Sequence, residues 1–477
     1  MTASTTASNR PGRLRLAYYG DDFTGSTDAL EVLAFAGLRC ALFLKPPTPE
    51  LLAQLGGFDA IGVAGDSRGM SPAEMEAALP GIFRALAALG APLIHYKVCS
   101  TFDSSPAIGS IGRVMEIARG VIGEAPIPII AGTPALLRYC LFGNLFARSA
   151  TDGKVYRIDR HPIMRRHPVT PMEEGDLALH LNRQTALPIG HVHYPQFEQP
   201  AAAREDAVDA LMAGDSAPHA AILFDTATRE HLTEIGRLLE REASRRAASG
   251  KPVFTVGSSG VEYGLTQWWA TQDLLPPATR DYAHFDAAEV ILAVSGSASP
   301  LSGQQVDAAI AAGFEDIAVD AAALVDADTW QATLAGMVER AVDALRAGRS
   351  VMLHTARGPA DDRIDAMITR LAQRGMDREQ ARHQGGRLLG QRLGQFTRAV
   401  LETVPLRRLI LSGGDTSSQI TQVLDPDALE IAARLAPGVP LCQVISRRPG
   451  INGLEMALKG GQMGDAQFFV TALRGNR

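Results

Sequence analysis

Short apolar runs alternate with helix-length amphipathic stretches along the chain, and this rhythm limits the fold more than any other feature. A run at residues 14–19 precedes a helical stretch at 26–37, and a run at residues 61–64 precedes one at 72–89. Such alternation is typical of βαβ units, which build a mostly parallel sheet covered by helices. The sequence therefore predicts an α/β fold with mostly parallel sheets.

The alternation stops at residues 273–287 (DLLPPATRDYAHFDA), where prolines, charges and aromatic residues break both periodicities. A chain of 477 residues is also long for one core, so two α/β domains are expected. We predict a disordered tail, an N-terminal domain, a linker and a C-terminal domain, at residues 1–13, 14–272, 273–287 and 288–477. An active site is expected in the cleft between the domains, where pockets tend to form.

The composition is that of an ordinary soluble globular protein. Lys+Arg 46 against Asp+Glu 52 gives a net charge of −6, which does not suggest a nucleic-acid partner. No run approaches the roughly 18 apolar residues that a membrane span needs. The four cysteines form no CxxC pair, so reduced thiols and a cytoplasmic location are expected. The sequence leaves the oligomeric state open, with a homodimer as one expectation.

One apolar run opens directly into glycines and hydroxyls, at residues 409–418 (LILSGGDTSS). The run reads as a buried strand followed by a tight turn and a helix that begins near Thr416. Gly413 and Gly414 would bring backbone N–H groups close to an anion at the start of that helix. The pattern suits a phosphate cradle, although an ordinary strand–turn–helix connection of an α/β fold has the same sequence pattern.

The first predicted strand leads into residues 19–28 (YGDDFTGSTD), which carry two adjacent carboxylates. The turn follows the carboxyl end of a strand, where open α/β sheets bind ligands. Asp21 and Asp22 would there reach a polyol or accept a proton. The alternative is that one of them only caps the helix that follows.

A second hydroxyl-rich loop follows the strand that ends near Lys97, at residues 95–105 (HYKVCSTFDSS). The cation of Lys97, with the hydroxyls of Ser100 and Thr101, would suit the carboxylate of a small hydroxy acid. Cys99 raises the question of a thiol nucleophile. Because the sequence shows no partnered His–Asp arrangement, a core cysteine is the preferred interpretation.

The segment 155–172 is dense in Arg, His and Pro and is too irregular for a core layer. It is interpreted as an insertion or lid that ends in a capping-box helix start at residues 170–173 (TPME). Its basic part, residues 161–171, would contact an acidic substrate or phosphate, or form a solvated loop. The histidines lack HxH or HExxH spacing, so no zinc site is predicted.

Four loops rich in small residues occur in the second half of the chain: SGSAS at 295–299, GGDTSS at 413–418, APGVP at 436–440 and KGGQMG at 459–464. We expect them to converge on one nucleotide. Neither GxxxxGK[ST] nor GxGxxG appears in these loops, which excludes a P-loop NTPase and a Rossmann dehydrogenase by motif.

These motifs, together with HPVTPM at residues 167–172 and in this order, resemble those of the four-carbon acid sugar kinase family, a former domain of unknown function. The resemblance spans about residues 14–469. It implies an N-terminal sugar-acid-binding domain and a C-terminal ATP-binding domain. The implied reaction is phosphorylation of erythronate, threonate or 3-oxo-tetronate by ATP with Mg²⁺.

The resemblance also implies roles for particular positions. ATP contacts are implied for Ser297, Gly413, Gly414, Asp415, Thr416 and Gly461. Asp22, Arg68 and Lys97 match positions near the substrate, and Asp21, Ser100 and Thr101 belong to the same two motifs. For transfer to a terminal hydroxyl, we expect Asp415 to help hold Mg²⁺, Lys97 to bind the substrate carboxylate and Asp22 to act as the base.

Two departures from the family pattern bear on the substrate. Many relatives read GGET where this chain reads GGDT, and many read STLRGN where this chain reads STFDS at residues 100–104, a variant closer to the 3-oxo-tetronate kinase branch. A branched five-carbon acid such as 3-oxo-isoapionate stays open, because one extra carbon changes binding by only about 1–3 kcal/mol. A non-catalytic sugar-acid sensor is the alternative from another class.

Overall fold

The computed structural model describes residues 14–149, 152–167, 169–212, 218–277 and 280–476. The predicted tail at 1–13 lies outside the described residues. The chain divides into two compact units, Met1–Thr279 and Arg280–Arg477. The division falls within the segment 273–287 that the sequence analysis assigns to a linker.

The N-terminal unit is organised around parallel strands whose residues are buried on both faces, as expected for a sheet covered by helices. Its strands are, in chain order, β1 (Leu16–Gly20), β2 (Cys40–Phe43), β3 (Ala60–Ala64), β4 (Leu93–Lys97), β5 (Ile127–Ile130), β6 (Arg138–Leu141), β7 (Asn144–Arg148), β8 (Val155–Arg157), β9 (Ile189–Val192), β10 (Ala221–Phe224) and β11 (Val253–Gly257). The main sheet has the order β2-β3-β1-β4-β11-β5-β10-β9 and its pairs are parallel. Strands β6, β7 and β8 form a separate antiparallel sheet.

Most helices of this unit begin at a residue whose side chain accepts from a free N–H group of the first turn. At the start of the third helix, for example, the Ser71 hydroxyl accepts from Glu74 N while Glu74 Oε2 accepts from Ser71 N at 2.7 Å, which is a capping box. The helices are α1 (Phe23–Phe35), α2 (Pro49–Gln54), α3 (Pro72–Ala88), α4 (Ile111–Ile122), α5 (Leu177–Asn182), α6 (Tyr194–Phe197), α7 (Ala201–Leu211), α8 (Arg229–Arg246) and α9 (Gly260–Thr271).

The position of β1 in the sheet defines where a ligand would bind. Strands β3 and β2 lie on one side of β1, and β4 lies on the other. The chain therefore leaves β1 and β4 in opposite directions, which opens a crevice at their carboxyl ends. The loops that follow β1, β3 and β4 meet at this edge.

The C-terminal unit contains a mixed sheet. Its strands are β12 (Ile291–Ser295), β13 (Glu315–Ala318), β14 (Val351–His354), β15 (Arg408–Ser412), β16 (Ala428–Ala436), β17 (Val439–Ile445) and β18 (Glu455–Lys459). Their order is β13-β14-β12-β15-β18-β17-β16, parallel from β13 to β18 and antiparallel for β17 and β16. The chain leaves β12 and β15 in opposite directions, so a second crevice opens at their carboxyl ends.

The helices of the C-terminal unit are α10 (Pro300–Ala311), α11 (Ala321–Val325), α12 (Trp330–Arg346), α13 (Arg363–Gln373), α14 (Arg378–Thr403), α15 (Gly414–Leu424) and α16 (Phe468–Arg474). One core cluster includes Ile410 of β15, Val306 of α10 and Phe469 of α16. Phe285, from the segment assigned to the linker, is 5% exposed in the same cluster. No helix among the described residues is both long enough and apolar enough to span a membrane.

The α/β fold with mostly parallel sheets is confirmed. The hairpin of β16 and β17 was not predicted from the sequence, and its turn contains Pro437 and Gly438 of the APGVP loop. The pattern is ambiguous for β17, which is buried along most of its length and lacks a clean alternation of polar and apolar residues, whereas alternate residues of β16 are buried.

Candidate active site

The ends of β1 and β4 are joined by the backbone of two predicted site residues. The amide of Asp21 donates to the carbonyl of Lys97 at 2.9 Å. Asp21 is 4% exposed, so its carboxylate is held below the surface of the crevice. The two motifs that the sequence analysis singled out separately are therefore adjacent in the structure.

Arg68 brings a third strand into the same site. It lies in the short 3-10 turn Ser67–Gly69 after β3, and its amide donates to Asp21 O at 3.0 Å. Its Nε and Nη2 donate to Asp21 Oδ2 and Oδ1 at 3.1 and 2.8 Å. Burial raises the pKa of the Asp21 carboxyl, and the guanidinium of Arg68 acts in the opposite direction.

Asp22 is the N-cap of α1, as the alternative interpretation stated. Its Oδ1 accepts from Gly25 N at 2.8 Å and from Arg68 Nη2 at 2.9 Å. The cap and the contact with Arg68 coexist because the carboxylate lies at the mouth of the crevice, with its side chain 26% exposed. Capping alone therefore does not exclude a role in proton transfer, which stays a prediction.

Lys97 has a partner that the sequence analysis missed. Its Nζ lies 3.5 Å from Asp28 Oδ2, on the helix that Asp22 caps. Burial lowers the pKa of Lys97, whereas the nearby carboxylates, with Asp28 the largest contributor among them, raise it. The carboxylates outweigh burial, so the pKa of Lys97 lies above its ordinary value. Gly25 permits this close packing, since a Cβ there would lie 2.3 Å from Asp22 Oδ1 and 3.0 Å from Lys97 Nζ.

The loop after β4 is held together by its own side chains. Thr101 Oγ1 donates to Asp103 Oδ1 at 2.6 Å and lies 3.0 Å from Cys99 Sγ. Burial raises the pKa of the Cys99 thiol, which agrees with the preference for a core cysteine over a nucleophile. Ser100 lies half-buried in the same loop.

The prediction that a helix starts with a capping box at residues 170–173 is wrong. The hydroxyl of Thr170 donates to Asp103 Oδ2 at 3.0 Å, and α5 begins later, after the N-cap Asp176. A long-range partner thus takes the hydroxyl that the local pattern assigned to a helix N-terminus. Arg165 and Arg166 of the same basic segment are exposed.

In the C-terminal unit, backbone hydrogen bonds join the loops that follow β12, β15 and β18. Gly413 N donates to Lys459 O and Gly296 N donates to Ser412 O, both at 2.8 Å. The carbonyl of Gly461 accepts from the hydroxyls of two serines at 2.5 and 3.1 Å, namely Ser299 and Ser302. Three of the four predicted loops therefore meet at one edge of the sheet.

The fourth loop reaches the same edge through its turn. A Cβ on Gly438 would lie 2.5 Å from Met463 Cε. Close to this contact, a Cβ on Gly461 would lie 2.5 Å from Ser297 Oγ. The structure thus places Ser297 and Gly461 side by side, and their contact with ATP stays a prediction.

The two glycines of the predicted phosphate cradle differ in their surroundings. The N–H of Gly413 already donates to Lys459 O, so contact of this turn with a phosphate stays a prediction. Gly413 has φ +106°, a conformation that favours glycine. Gly414 is exposed, and a Cβ built on it meets nothing within 4 Å. Helix α15 begins at Gly414, two residues before the predicted start at Thr416, and its N-cap residue Gly413 supplies no side-chain hydrogen bond. The first N–H groups of an α-helix lack partners within the helix and are suited to bind an anion.

Asp415 is exposed in the first turn of α15. In the described part of the chain, no group of three or more His, Cys, Asp or Glu side chains is arranged to hold a metal ion. One carboxylate beside a phosphate cradle nevertheless fits Mg²⁺, which is commonly bound by one or two carboxylates together with substrate phosphates and waters.

Lys459 is a residue whose importance the sequence analysis missed. It is the last residue of β18 and is fully buried, and its Nζ donates to Gly460 O at 3.0 Å. Burial lowers the pKa of this amine to about 8. The signal in the sequence was a lysine directly before the glycines of KGGQMG.

Comparison with known proteins agrees with this arrangement. Residues 16–265 match the model of a sugar-binding N-terminal domain, and residues 292–469 match that of a nucleotide-binding C-terminal domain. A 3-oxo-isoapionate kinase of Paraburkholderia graminis is 44% identical over 468 residues, covering 98% of this chain and 96% of that protein. A 3-oxo-tetronate kinase of Cupriavidus necator is 30% identical over 478 residues, covering 99% of both.

Solved structures show the same fold. A protein of Salmonella typhimurium LT2 has a TM-score of 0.75 at 22% identity, covering 97% of this chain and 99% of that one. A Haemophilus influenzae protein has a TM-score of 0.69 at 22% identity, covering 96% and 98%. The two domain models and the kinase relatives together show that the chain is a carbohydrate-acid kinase and belongs to the four-carbon acid sugar kinase family.

Proposed function

We propose that this chain transfers the γ-phosphoryl group of ATP to a terminal hydroxyl of a small 3-oxo sugar acid, and that 3-oxo-isoapionate is its preferred substrate. The preference is supported by the identity of 44% with a 3-oxo-isoapionate kinase, against 30% with a 3-oxo-tetronate kinase, over almost the whole chain. The reaction class is supported by the matches to sugar-binding and nucleotide-binding domains.

The observation that carries the proposal is the cluster of opposite charges at the ends of β1, β3 and β4. Arg68 and Lys97 offer two cations to the carboxylate of a sugar acid. Asp21 holds Arg68 in place through paired hydrogen bonds at 2.8 and 3.1 Å. Asp22 stands at the mouth of the same crevice, where its carboxylate would accept the proton of the attacking hydroxyl.

The nucleotide would bind at the glycine turn of the C-terminal unit. The N–H groups at the start of α15, from Gly414 onwards, would hold phosphate oxygens, because Gly414 has no side chain that blocks them. Gly413 would shape the turn, since its own N–H donates to Lys459 O. Ser297, Thr416 and Gly461 would complete the wall of the site. Asp415 would hold Mg²⁺, which neutralises phosphate charge during phosphoryl transfer when it is bound.

A four-carbon substrate is the second candidate. It is supported by the 3-oxo-tetronate kinase relatives and by the STFDS sequence at residues 100–104. The two acids differ by one branching carbon, and a difference of this size changes specificity by about 10- to 200-fold. Both candidates require the same cations and the same base.

The test is a coupled ADP-release assay with Mg·ATP against D- and L-erythronate, D- and L-threonate, the 3-oxo-tetronates and 3-oxo-isoapionate. We expect the strongest response with 3-oxo-isoapionate, and phosphorus NMR of the product should show a phosphate ester on a CH₂ group. The Gly414→Val variant, prepared identically, controls for contaminating kinases and should be inactive. If no acid caused ADP release while ATP still bound, the result would favour a non-catalytic sugar-acid sensor.

A further inference from the structure

Lys459 carries a buried amine at the end of β18. Its side chain is fully buried, Gly460 O accepts from it at 3.0 Å, and the ring of Phe468 lies 5.6 Å away. Within the described part of the chain, no carboxylate pairs with this Nζ, and burial alone accounts for its lowered pKa. A buried charge that lacks a partner is costly, so such an amine is expected to have a ligand or a function.

Lys97 shows what a compensated lysine at the equivalent position looks like. It is also the last residue of a central parallel strand and is also buried. Its Nζ, however, lies 3.5 Å from Asp28 Oδ2, and the pKa of Lys97 shifts in the opposite direction. The contrast shows that a strand end of this kind can accommodate a carboxylate, and that Lys459 is left without one among the described residues.

Two further polar groups beside Lys459 lack hydrogen-bond partners. Ser412 is in register with Lys459 across β15 and β18, and Ser295 is in register with Ser412 across β12 and β15. Both hydroxyls are fully buried and have no hydrogen-bond partner in the part of the chain that the structure describes. Buried polar groups are normally satisfied, so this row indicates a missing polar partner at the carboxyl edge of the sheet.

The backbone of Lys459 is part of the glycine turn. Its carbonyl accepts from Gly413 N at 2.8 Å, and the next residues carry the Gly461 carbonyl that accepts from Ser299 and Ser302. The amine, which donates to Gly460 O, therefore lies at the start of a loop assigned to phosphate. An anion seated on the turn is the partner that this geometry offers.

We propose that Lys459 binds a phosphate group of the nucleotide, with its amine supplying the counter-cation that the glycine turn itself lacks. The inference rests on the proposed nucleotide site and adds a residue to it. Gly460 O holds the amine beside the turn until the phosphate is present. The backbone N–H groups then orient the phosphate through hydrogen bonds, while the amine of Lys459 neutralises part of its charge.

Phosphate binding would restore the proton to this amine. The charged groups on the neighbouring elements are Asp415 at the start of α15, Asp465 before α16, and the Arg408–Glu455 pair at the far ends of β15 and β18. None of them contributes to the lowered pKa of Lys459. At pH 8 about half of the amines would be neutral, so nucleotide binding should take up about half a proton.

The test compares wild-type protein with Lys459→Met, and with Lys251→Met as a control for an exposed lysine. Affinity for Mg·ATP without sugar acid is measured by titration calorimetry at pH 8 in buffers of different ionisation enthalpy. We expect Lys459→Met to weaken binding about 10- to 100-fold and to abolish the proton uptake, with the control unchanged. The melting temperature of the ligand-free variant should stay equal or rise, because a buried charge is removed.

Equal ATP affinity in Lys459→Met and wild type would overturn the inference and leave the proposed kinase intact. Absence of ATP binding by the wild type would overturn both. If Lys459→Met does not fold, the test is the proton uptake of the wild type when it binds Mg·ATP. Absence of this uptake at pH 8 would contradict the proposal.

Discussion

Arg68 binds Asp21 through two parallel hydrogen bonds, from Nε to Oδ2 at 3.1 Å and from Nη2 to Oδ1 at 2.8 Å. This pairing requires the planar fork of a guanidinium, which lysine cannot reproduce. We expect Arg68→Lys to lower kcat/KM for the sugar acid about 10- to 100-fold. Its affinity for Mg·ATP should be unchanged, and the exposed Arg165→Lys serves as the matched control. If Arg68→Lys had the kcat/KM of the wild type, Arg68 would have no role in binding the substrate.

Asp22 has two assignments, helix cap and base, and two substitutions separate them. Asn retains an N-cap acceptor, so Asp22→Asn should fold with wild-type stability, whereas Asp22→Ala should lose about 1 kcal/mol. If Asp22 is the base, Asp22→Asn should lower kcat at least about 100-fold while ATP affinity stays constant. Steady-state kinetics and thermal melts measure both. Full turnover by Asp22→Asn would leave Asp22 as a cap only.

The two glycines of the turn should respond in opposite ways. Gly413 has φ +106° and its Cβ would lie 3.2 Å from Ser297 N, so Gly413→Ala should destabilise the protein by about 1–3 kcal/mol. Gly414 has open space around it, so Gly414→Val should fold normally but lose ATP binding. Unfolding curves and ATP titrations distinguish them. ATP affinity unchanged in Gly414→Val would show that the turn is only structural.

The buried amine of Lys459 should make stability depend on pH. Its folded pKa of about 8 lies below the unfolded value of 10.5, so the unfolded chain binds more protons between these two values. Stability from this group therefore rises as pH increases through that window, and at neutral pH the charged amine costs about 3 kcal/mol. We expect Lys459→Met to be more stable than wild type at pH 7 and the difference to shrink towards pH 9.5. A constant difference in unfolding free energy would contradict this.

The alternation of short apolar runs and helical stretches was sufficient to predict the α/β class, because period-2 and period-3.6 patterns arise locally. The same logic placed the glycine turn and the acidic turn at carboxyl ends of strands, where the structure has them. What the local pattern could not supply is the partner of each side chain. The sequence around Thr170 is typical of a helix N-cap, yet the hydroxyl of Thr170 donates to Asp103, which is 67 residues away in the chain.

Lys97 and Lys459 show the same limit. Both are lysines at the ends of apolar runs, and the sequence does not tell which of them is paired. Asp28 neutralises Lys97 because α1 packs beside β4, whereas the segment after β18 carries Phe468 over Lys459. Burial of this kind depends on helices that come earlier or later in the chain, so only the three-dimensional structure shows which lysine has no carboxylate partner among the described residues.

The substrate is decided by comparing kcat/KM for 3-oxo-isoapionate with kcat/KM for 3-oxo-tetronate, both measured by ADP release at saturating Mg·ATP. We expect transfer to both acids, with at least about tenfold higher kcat/KM for 3-oxo-isoapionate. Equal values, or a preference for 3-oxo-tetronate, would contradict the substrate assignment. No ADP release with either acid would contradict the proposed reaction for these substrates.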